Sequence, residues 1–297
     1  MVSSTDPFAM SEGTSPAVSD RFLRHCYRAL KENQLVLPTI PDISIKIRRA
    51  INDPKANNAR IARVVQMDPV ITARLIQISN SPLYRGRRRI ESCPQALTRL
   101  GLKVAQRLIT SFALKAVFKA KSRVVQKRMQ ELWQHSSYVA AICAVLAHKT
   151  PGFDPDRAML AGLIHDIGAV PVLTFADKHM DLLENTEELA YTIDKLRGPV
   201  GSAIMRKWGF PEDFEAVTVA CEDWSRDNIP QPDYVDLVLV SQLHSFVGTP
   251  RLHQYPRIDE IPAYRKLLAG RLDAETSLNI LELAKEEIWQ IQNMLSV

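Results

Sequence analysis

Two histidines and an aspartate are present in a pattern that could bind a divalent metal. His135 lies in a run with helical apolar spacing, and His165 and Asp166 follow thirty residues later as an adjacent pair. Imidazole and carboxylate groups are the ligands that a hydrolytic metal site uses. The same residues are also compatible with a hydrogen-bonded core histidine and a polar pair at a helix end. Their types and spacing alone leave both interpretations open.

The elements that must position these residues are helices. Apolar residues recur at intervals of three and four, and no alternating run is long enough to predict a sheet. We therefore predict an all-α fold. Helices are expected near residues 19–32, 41–52, 57–66, 69–80, 94–100, 103–119, 122–148, 156–165, 168–175, 184–195, 199–208, 212–222, 234–247, 260–268 and 273–296.

Composition indicates a globular protein in a reducing compartment. The 297 residues are 46% hydrophobic, enough to bury a sizeable core. The sequence does not open with a basic stretch followed by an apolar run, and no apolar run reaches the roughly 18 residues that span a bilayer. Cysteines at distant positions, without the paired spacing of metal or redox motifs, indicate free thiols: Cys26, Cys93, Cys143 and Cys221. We expect a cytoplasmic protein with no membrane partner, and a disordered tail over residues 1–17.

Charge is divided unevenly between the two halves of the chain. Residues 1–130 contain 24 Lys and Arg against 8 Asp and Glu, whereas residues 131–297 contain 14 against 25. Either the halves neutralise each other across an internal interface, or the basic half faces an acidic partner, a protein or a nucleic acid. Four charges are concentrated in one turn, which is either a solvated charge run or a site for an anion or partner: Arg85, Arg87, Arg88 and Arg89.

Seven segments, taken in order, resemble the HDOD family, the HD-related output domains of bacterial signalling proteins. Each segment is short, but the ordered set is specific and covers roughly residues 30–245. The segments read LPTIP at 37–41, DPV at 68–70, ISNSPLY at 78–84, LG at 100–101, WQHS at 133–136, AGLIHDIG at 161–168 and VGSAIMRKWGFP at 200–211.

The resemblance implies two helical parts. An N-terminal helical bundle is expected over residues 18–125 and an HD-like bundle over 126–250, with C-terminal helices over 251–297 that pack on the HD-like part. The last helix has the spacing of a short coiled-coil seam, which either docks on the chain's own bundle or forms a dimer contact. The seam residues are Leu281, Ala284, Ile288, Ile291 and Leu295.

The resemblance also implies a metal site, from which this sequence departs. HD phosphohydrolases hold their metal through a histidine, a His-Asp pair and a later aspartate, and the first three correspond to His135, His165 and Asp166. The fourth falls on Gln242, whose neutral amide lacks the charge of an aspartate. Asp236 and His244 are close in sequence, but helical spacing places neither on the face of Gln242.

The related HD-GYP phosphodiesterases, which cleave cyclic di-GMP, use further histidines and a Gly-Tyr-Pro motif. The corresponding places here, residues 197–201 and 219–223, hold no histidine, and the tripeptide does not occur. The sequence therefore lacks the ligands that a second metal ion would need for two-metal hydrolysis. We predict a vestigial site at His135, His165, Asp166 and Gln242, with no catalytic residue and no cofactor. If a divalent metal binds weakly, its ligands are the first three.

The leading functional hypothesis is a non-catalytic regulatory protein of a bacterial signalling pathway that binds protein partners, with a homodimer as one option. No receiver, PAS or GGDEF-like segment is found among these residues, so we expect the input to come from elsewhere. One alternative is a residual metal-dependent phosphohydrolase that acts on nucleotides or cyclic dinucleotides. The other is a nucleic-acid-binding protein that uses the basic half.

Overall fold

The computed structural model describes residues 21–32, 34–53, 57–179, 186–269, 282 and 284–296. All regular elements in these ranges are helices, which confirms the all-α prediction. The predicted disordered tail, residues 1–17, lies outside the described residues. Buried side chains from both halves of the chain form one connected core.

The helices are numbered here in chain order. They are α1 (Arg21–Lys31), α2 (Asp42–Asn52), α3 (Asn58–Gln66), α4 (Pro69–Ser79), α5 (Cys93–Leu100), α6 (Leu102–Leu114), α7 (Arg123–Lys149), α8 (Pro155–Ile164), α9 (Ala169–Ala176), α10 (Thr186–Trp208), α11 (Glu212–Ala220), α12 (Tyr234–Phe246), α13 (Pro262–Ala269) and α14 (Lys285–Ser296). Short 3-10 helices cover Lys115–Val117 and Pro250–Gln254. Most of these bounds differ from the predicted ones by a few residues, as helix ends commonly do.

Side chains in the sequence explain several helix starts. Asn57, Asp68, Ser122 and Asp233 each accept a hydrogen bond from a backbone N–H in the first turn of the helix that follows them. Such bonds satisfy donors that a helix start otherwise leaves free, and each contributes about 1 kcal/mol. The long α7 and the helix α12, which carry His135 and Gln242, both begin at such a residue.

Helix α7 lies at the centre of the molecule. It packs against α8, α9, α12 and α14, and all residues from 139 to 147 are buried. Helix α6 packs on α8, and α1 packs on α10. Helices of the predicted N-terminal part therefore contact helices of the predicted HD-like part, and the division into these parts stays a prediction.

Two glycines allow helices to approach the His165-Asp166 turn closely. A Cβ atom on Gly162 would lie 2.7 Å from the Cα of Ala140 in α7, and one on Gly168 would overlap the carbonyl oxygen of Arg197 in α10. Real Cβ atoms do not come this close to backbone atoms, so larger residues would push the helices apart. The His165-Asp166 turn thus lies between two close approaches, that of α8 to α7 at Gly162 and that of α10 to the turn itself at Gly168.

The predicted break between helices at 184–195 and 199–208 is wrong. A single helix, α10, runs through Pro199, although proline in a helix interior removes a hydrogen bond and costs about 3 kcal/mol. The helix stays continuous because one buried face continues on both sides of the proline and packs against α9 and α11. That face includes Leu189, Leu196, Val200, Ile204 and Trp208.

The C-terminal seam faces the chain itself. Helix α14 packs against α7, α4 and α6, and its apolar residues Ile288, Ile291 and Leu295, like Ala284 just before it, are buried. Leu281 and most of the predicted start of this helix, residues 273–281 and 283, lie outside the described residues. The described part of the seam is therefore covered by the chain's own bundle.

Two further sequence features can be placed in the structure. All four cysteines are buried and unpaired, which confirms the prediction of free thiols. The segment Pro155–Ala176 is long and apolar enough to cross a membrane, but 94% of its apolar window is buried within the chain. This is the pattern of a core segment in a helical bundle, since a lipid-facing helix would present those side chains outward.

Substitution of Gly162 by alanine is expected to lower the free energy of unfolding by about 1–3 kcal/mol, because the new methyl group meets the α7 backbone. Gly198→Ala in α10 is the matched control, since a Cβ there would meet nothing closer than 3.4 Å. Urea unfolding of both variants provides the measurement. Equal losses for the two glycines would contradict the close crossing of α7 and α8.

Candidate functional site

The fold brings the three metal-type residues together. His135 comes from the middle of α7, and His165 and Asp166 come from the turn that follows α8. Asp166 Oδ2 lies 3.3 Å from His165 Nε2 and 3.9 Å from His135 Nε2. One ligand atom from each residue lies within 4.8 Å of the others, a spacing that a single metal ion can bridge.

A backbone hydrogen bond sets the tautomer of His165. Its Nδ1 lies 2.6 Å from the carbonyl oxygen of Gly162, which can only accept, so Nδ1 carries the proton. The lone pair is then on Nε2, which is buried and has no hydrogen-bond partner among the described residues. Nε2 also faces the Asp166 carboxylate. Two acceptors facing each other favour a cation or a proton between them.

Burial keeps His135 neutral near pH 7. Burial, and after it the neighbouring His165, together lower the pKa of His135 to about 4, while Asp166 opposes the shift. A neutral imidazole can act as a metal ligand. The ring also stacks on Phe246 of α12, with centroids 5.5 Å apart and planes 4° from parallel.

The carboxylate of Asp166 already has a cationic partner. The guanidinium of Arg197 on α10 donates to Asp166 Oδ1 at 3.2 Å, and Arg197 also pairs with Asp194 and Glu222. Burial alone would raise the pKa of Asp166, but a proton held against it by His165 Nε2, and then the charge of Arg197, keep that pKa well below the usual range. The carboxylate is therefore ionised, and a protein side chain supplies the balancing charge.

Gln242 lies beside this cluster and is turned partly away from it. The residue is buried, and its side-chain Nε2 donates to the carbonyl oxygen of Cys221, whose Sγ contacts the backbone oxygen of His165. Its Oε1 has no hydrogen-bond partner among the described residues. Gln242 precedes Phe246 by one helical turn, so the two share the face of α12 that reaches His135.

The two other polar residues of α12 that could replace Gln242 as a metal ligand lie away from the cluster. Asp236 pairs with Arg226 at 3.1 Å and with Lys266 at 2.6 Å, in a buried ionic cluster. His244 lines a different cavity with Tyr138 and Ile142. Neither belongs to the metal-type cluster, which confirms the argument from helical spacing.

Sequence reasoning missed the role of Arg197. It noted only that this position lacks the histidine of an HD-GYP enzyme, whereas a long cationic side chain there can reach the His-Asp turn. The aromatic rim was also missed: Tyr255 stacks on Phe246 at 4.4 Å, and Arg251 covers the Phe246 ring at 4.8 Å. No motif marks these rim residues, because they meet the site only through the chain that follows α12.

The donor set fits one divalent cation and does not fit a two-metal centre. His135, His165 and Asp166 offer three ligands to one ion, with Arg197 competing for the carboxylate. Among the described residues, no further histidine or unpaired carboxylate stands beside them for a second ion. Such an ion, when bound, would polarise an oxygen atom or activate a water molecule.

The basic turn is exposed and stands apart from this cluster. Its four arginines face solvent, and none lies within 4.0 Å of a carboxylate in the part of the chain that the structure describes. The loop is closed at its base by Asn80, which donates to the Ile90 carbonyl oxygen and accepts from the Ile90 N–H, both at 2.8 Å. The acidic residues that the structure describes therefore do not neutralise Arg85, Arg87, Arg88 and Arg89 internally.

The all-α fold and the His135/His165-Asp166 cluster define an HD-related protein. The HDOD domain matches residues 37–223, more than half of the sequence. The chain belongs to the HDOD family.

Solved structures agree with this fold. The crystal structure of a proposed metal-dependent phosphohydrolase from Shewanella amazonensis SB2B is 26% identical and aligns over 92% of this chain and 97% of its own, with a TM-score of 0.78. An HDOD domain protein of unknown function from Geobacter sulfurreducens is 24% identical over 92% and 96%, with a TM-score of 0.64. The second likeness shows the fold alone.

A curated relative matches part of the chain. An uncharacterized protein of Treponema pallidum (strain Nichols) is 26% identical over 192 residues, which are 59% of this chain and 36% of that protein. The chain therefore spans little more than a third of that relative.

His244 is expected to make the protein less stable in acid. Burial lowers its pKa to about 4, whereas an unfolded histidine titrates near ~6.5. As the pH falls from 6.5 to 4, the unfolded chain binds a proton that the folded chain does not, so stability is lost. His244→Gln should reduce this loss by about 2–3 kcal/mol. Denaturant unfolding between pH 4 and 7 measures it, with exposed His148→Gln as control. An unchanged slope in His244→Gln would contradict this assignment.

Removal of the Arg197 charge is expected to strengthen metal binding. Arg197→Met frees the Asp166 carboxylate and removes a positive charge that repels a dication, so affinity for Ni²⁺ should rise at least about tenfold. Calorimetric titration measures it. Arg206→Met, an exposed arginine on the same helix that pairs with Glu215, is the control and should change nothing. Equal affinities in wild type and Arg197→Met would contradict the proposed competition.

Proposed function

We propose that this protein is a non-catalytic, regulatory HDOD protein of a bacterial cytoplasm that transmits a signal by binding other proteins. The observation that carries the proposal is the ion pair between Arg197 and Asp166. A hydrolytic centre needs that carboxylate for its metal, and here a guanidinium occupies one of its oxygens. Gln242, at the place of the fourth ligand, adds no negative charge.

Electrostatics supports this proposal. A dication between His135, His165 and Asp166 would have one carboxylate ligand among these residues, and Arg197 already binds the other oxygen of that carboxylate. Metal ions at hydrolytic sites are normally held by more negative charge than this, because the ion must bind tightly while it polarises the substrate. The vestigial site is therefore better suited to holding α7, α8 and α10 together than to turnover.

The second candidate is a residual metal-dependent phosphohydrolase. One observation favours it: the Nδ1 of His165 is held by the Gly162 carbonyl oxygen, which leaves the buried Nε2 facing Asp166 at 3.3 Å, as a metal ligand requires. The similarity to the Shewanella protein described as a proposed metal-dependent phosphohydrolase points the same way. Under this alternative, nucleotides or cyclic dinucleotides would be the substrates.

Purified protein is expected to show no metal-stimulated hydrolysis of cyclic di-GMP or of generic phosphodiesters with Mn²⁺, Mg²⁺, Fe²⁺ or Ni²⁺, because the site lacks the required charge and a second set of ligands. Product release at each metal is the measurement. The double variant His165→Ala, Asp166→Ala is the control for contaminating activity. Turnover that this variant abolishes would establish the second candidate instead.

The basic turn is the part of the surface best suited to an acidic partner. Four arginines project from a loop whose base is closed by Asn80, so little conformational entropy is lost there on binding. Exposed charges of one sign also accelerate encounter with an oppositely charged surface. We favour a protein partner, and treat a nucleic acid and a second copy of this chain as alternatives.

A variant with Arg85, Arg87, Arg88 and Arg89 changed to serine is expected to elute from heparin at lower salt than wild type, because four exposed charges are lost. The matched control changes four exposed cations elsewhere, Lys46, Arg49, Arg63 and Lys103, to serine, with the same change in net charge. The difference between the two variants should shrink as the Debye length falls below about 8 Å. Identical elution of the two variants would show that the basic turn contributes no more to binding than other exposed cations do.

A further inference from the structure

A cavity distinct from the one at His244 lies apart from the His135–His165–Asp166 cluster. It has a volume of about 770 Å³ and opens between the start of α2, α4, the end of α6 and the first half of α7. Its size is within the roughly 300–1,000 Å³ typical of sites for small organic molecules. None of the three metal-type residues lines it.

A buried arginine forms part of its wall. Arg74 of α4 is only 7% exposed, and no carboxylate lies within 4.0 Å of it among the described residues. Its one hydrogen bond in that part of the chain runs from NH1 to the carbonyl oxygen of Phe112 and is long, at 3.4 Å, while Nε has no partner. A guanidinium carries five N–H donors, so most of its capacity is unused.

Among the described residues, no carboxylate forms a salt bridge with this charge. Burial lowers the pKa of Arg74, and Asp68 opposes that shift only in part. The carboxylate of Asp68 is committed to the start of α4, where it accepts the Ile71 N–H at 3.0 Å. Buried charges in proteins are normally paired, because desolvation of a lone ion costs several kcal/mol. Arg74 departs from this rule.

The rest of the cavity wall adds positive charge, donors and apolar surface. Lys115 and Lys119 follow α6 at the rim, and burial, then Arg74, lowers the pKa of Lys115. The indole Nε1 of Trp133 is buried without a partner among the described residues. The ring of Trp133 meets that of Phe118 edge to face at 4.9 Å. Aromatic walls with a few convergent donors are typical of ligand sites.

We propose that this cavity binds a small organic anion, a carboxylate or phosphate group on an apolar body, and that Arg74 forms the ion pair with it. The aromatic rings hold the apolar part, and Lys115 and Lys119 attract the charge. The proposal goes beyond the regulatory function, because it assigns a ligand site that protein binding does not require.

The placement of the cavity gives such a ligand a route to the rest of the molecule. Three of the segments that resemble the HDOD family contribute to its wall, through Pro41, Asp68 with Val70, and Trp133. Trp133 precedes His135 by two residues on α7, the helix against which α8, α9, α12 and α14 pack. A bound anion would therefore link α4 and α6 to the central helix.

A purely structural role for Arg74 makes the opposite predictions. Its guanidinium lies near the last carbonyls of α6, where a cation is favourable. If capping α6 were its role, an uncharged residue would weaken the fold and anions would have no effect. If the charge awaits a ligand, an uncharged residue of similar length should leave the ligand-free protein as stable or more stable.

The experiment uses the full chain and two organic anions as probes, phenyl phosphate and benzoate. Inorganic phosphate is the comparison anion without an apolar body, and benzyl alcohol is the neutral comparison compound. Calorimetric titration and tryptophan fluorescence should show saturable binding of at least one organic anion, with both comparison compounds at least tenfold weaker. The ratio of the two organic affinities tells whether the site prefers a phosphate or a carboxylate. Absence of saturable binding by both probes overturns the proposal, as does inorganic phosphate binding equally tightly.

Three variants assign the binding to this cavity. Arg74→Met should weaken binding of the tighter probe at least tenfold without lowering the Tm of the ligand-free protein. Lys115→Met, at the half-buried rim, should weaken binding of the same probe several-fold. This variant tests the proposal if Arg74→Met does not fold. Lys127→Met, an exposed lysine on α7 outside the cavity wall, should bind like wild type. Equal affinity in wild type, Arg74→Met and Lys115→Met overturns the proposal.

Discussion

The close crossing of α7 and α8 is the contact on which the candidate site depends. Gly162 has no side chain, so the backbone of α7 at Ala140 can lie directly against α8. This approach sets the distance between His135 on α7 and His165 at the end of α8. The carbonyl oxygen of Gly162 also accepts the Nδ1 proton of His165. One glycine therefore fixes both the spacing of the two imidazoles and the tautomer of one of them.

The cationic partner of Asp166 at the site is a protein side chain. Gly168 allows α10 to approach the His165-Asp166 turn, and the approach places the Arg197 guanidinium on Asp166. A buried carboxylate needs such a partner, because an uncompensated charge in the core is costly. In a metal enzyme the ion fills this role. Here the Arg197 side chain pairs with the carboxylate.

The two polar regions of the core are opposites in this respect. At Asp166 a buried anion has an internal cation, whereas at Arg74 a buried cation has no anion within salt-bridge distance in the described part of the chain. Both regions touch α7, through His135 in one case and Trp133 in the other. In the first region a protein cation pairs with the buried carboxylate. In the second, most N–H donors of the buried guanidinium have no acceptor among the described residues.

The sequence by itself determined the all-α class, because apolar spacing along one helix is a local property. It also determined that neither Asp236 nor His244 could replace Gln242, since a rotation of 100° per residue follows from helix geometry alone. The tertiary structure alone decided that α10 continues through Pro199, because burial against α9 and α11 outweighs the local cost. It alone decided the partner of Asp166, and that no carboxylate of the described residues lies within 4.0 Å of Arg74. Asp166 and Arg197 are 31 positions apart in the sequence, and Arg74 and Phe112 are 38 apart. The surroundings of Arg74 also depend on all of its neighbours in space. No local sequence pattern encodes either arrangement.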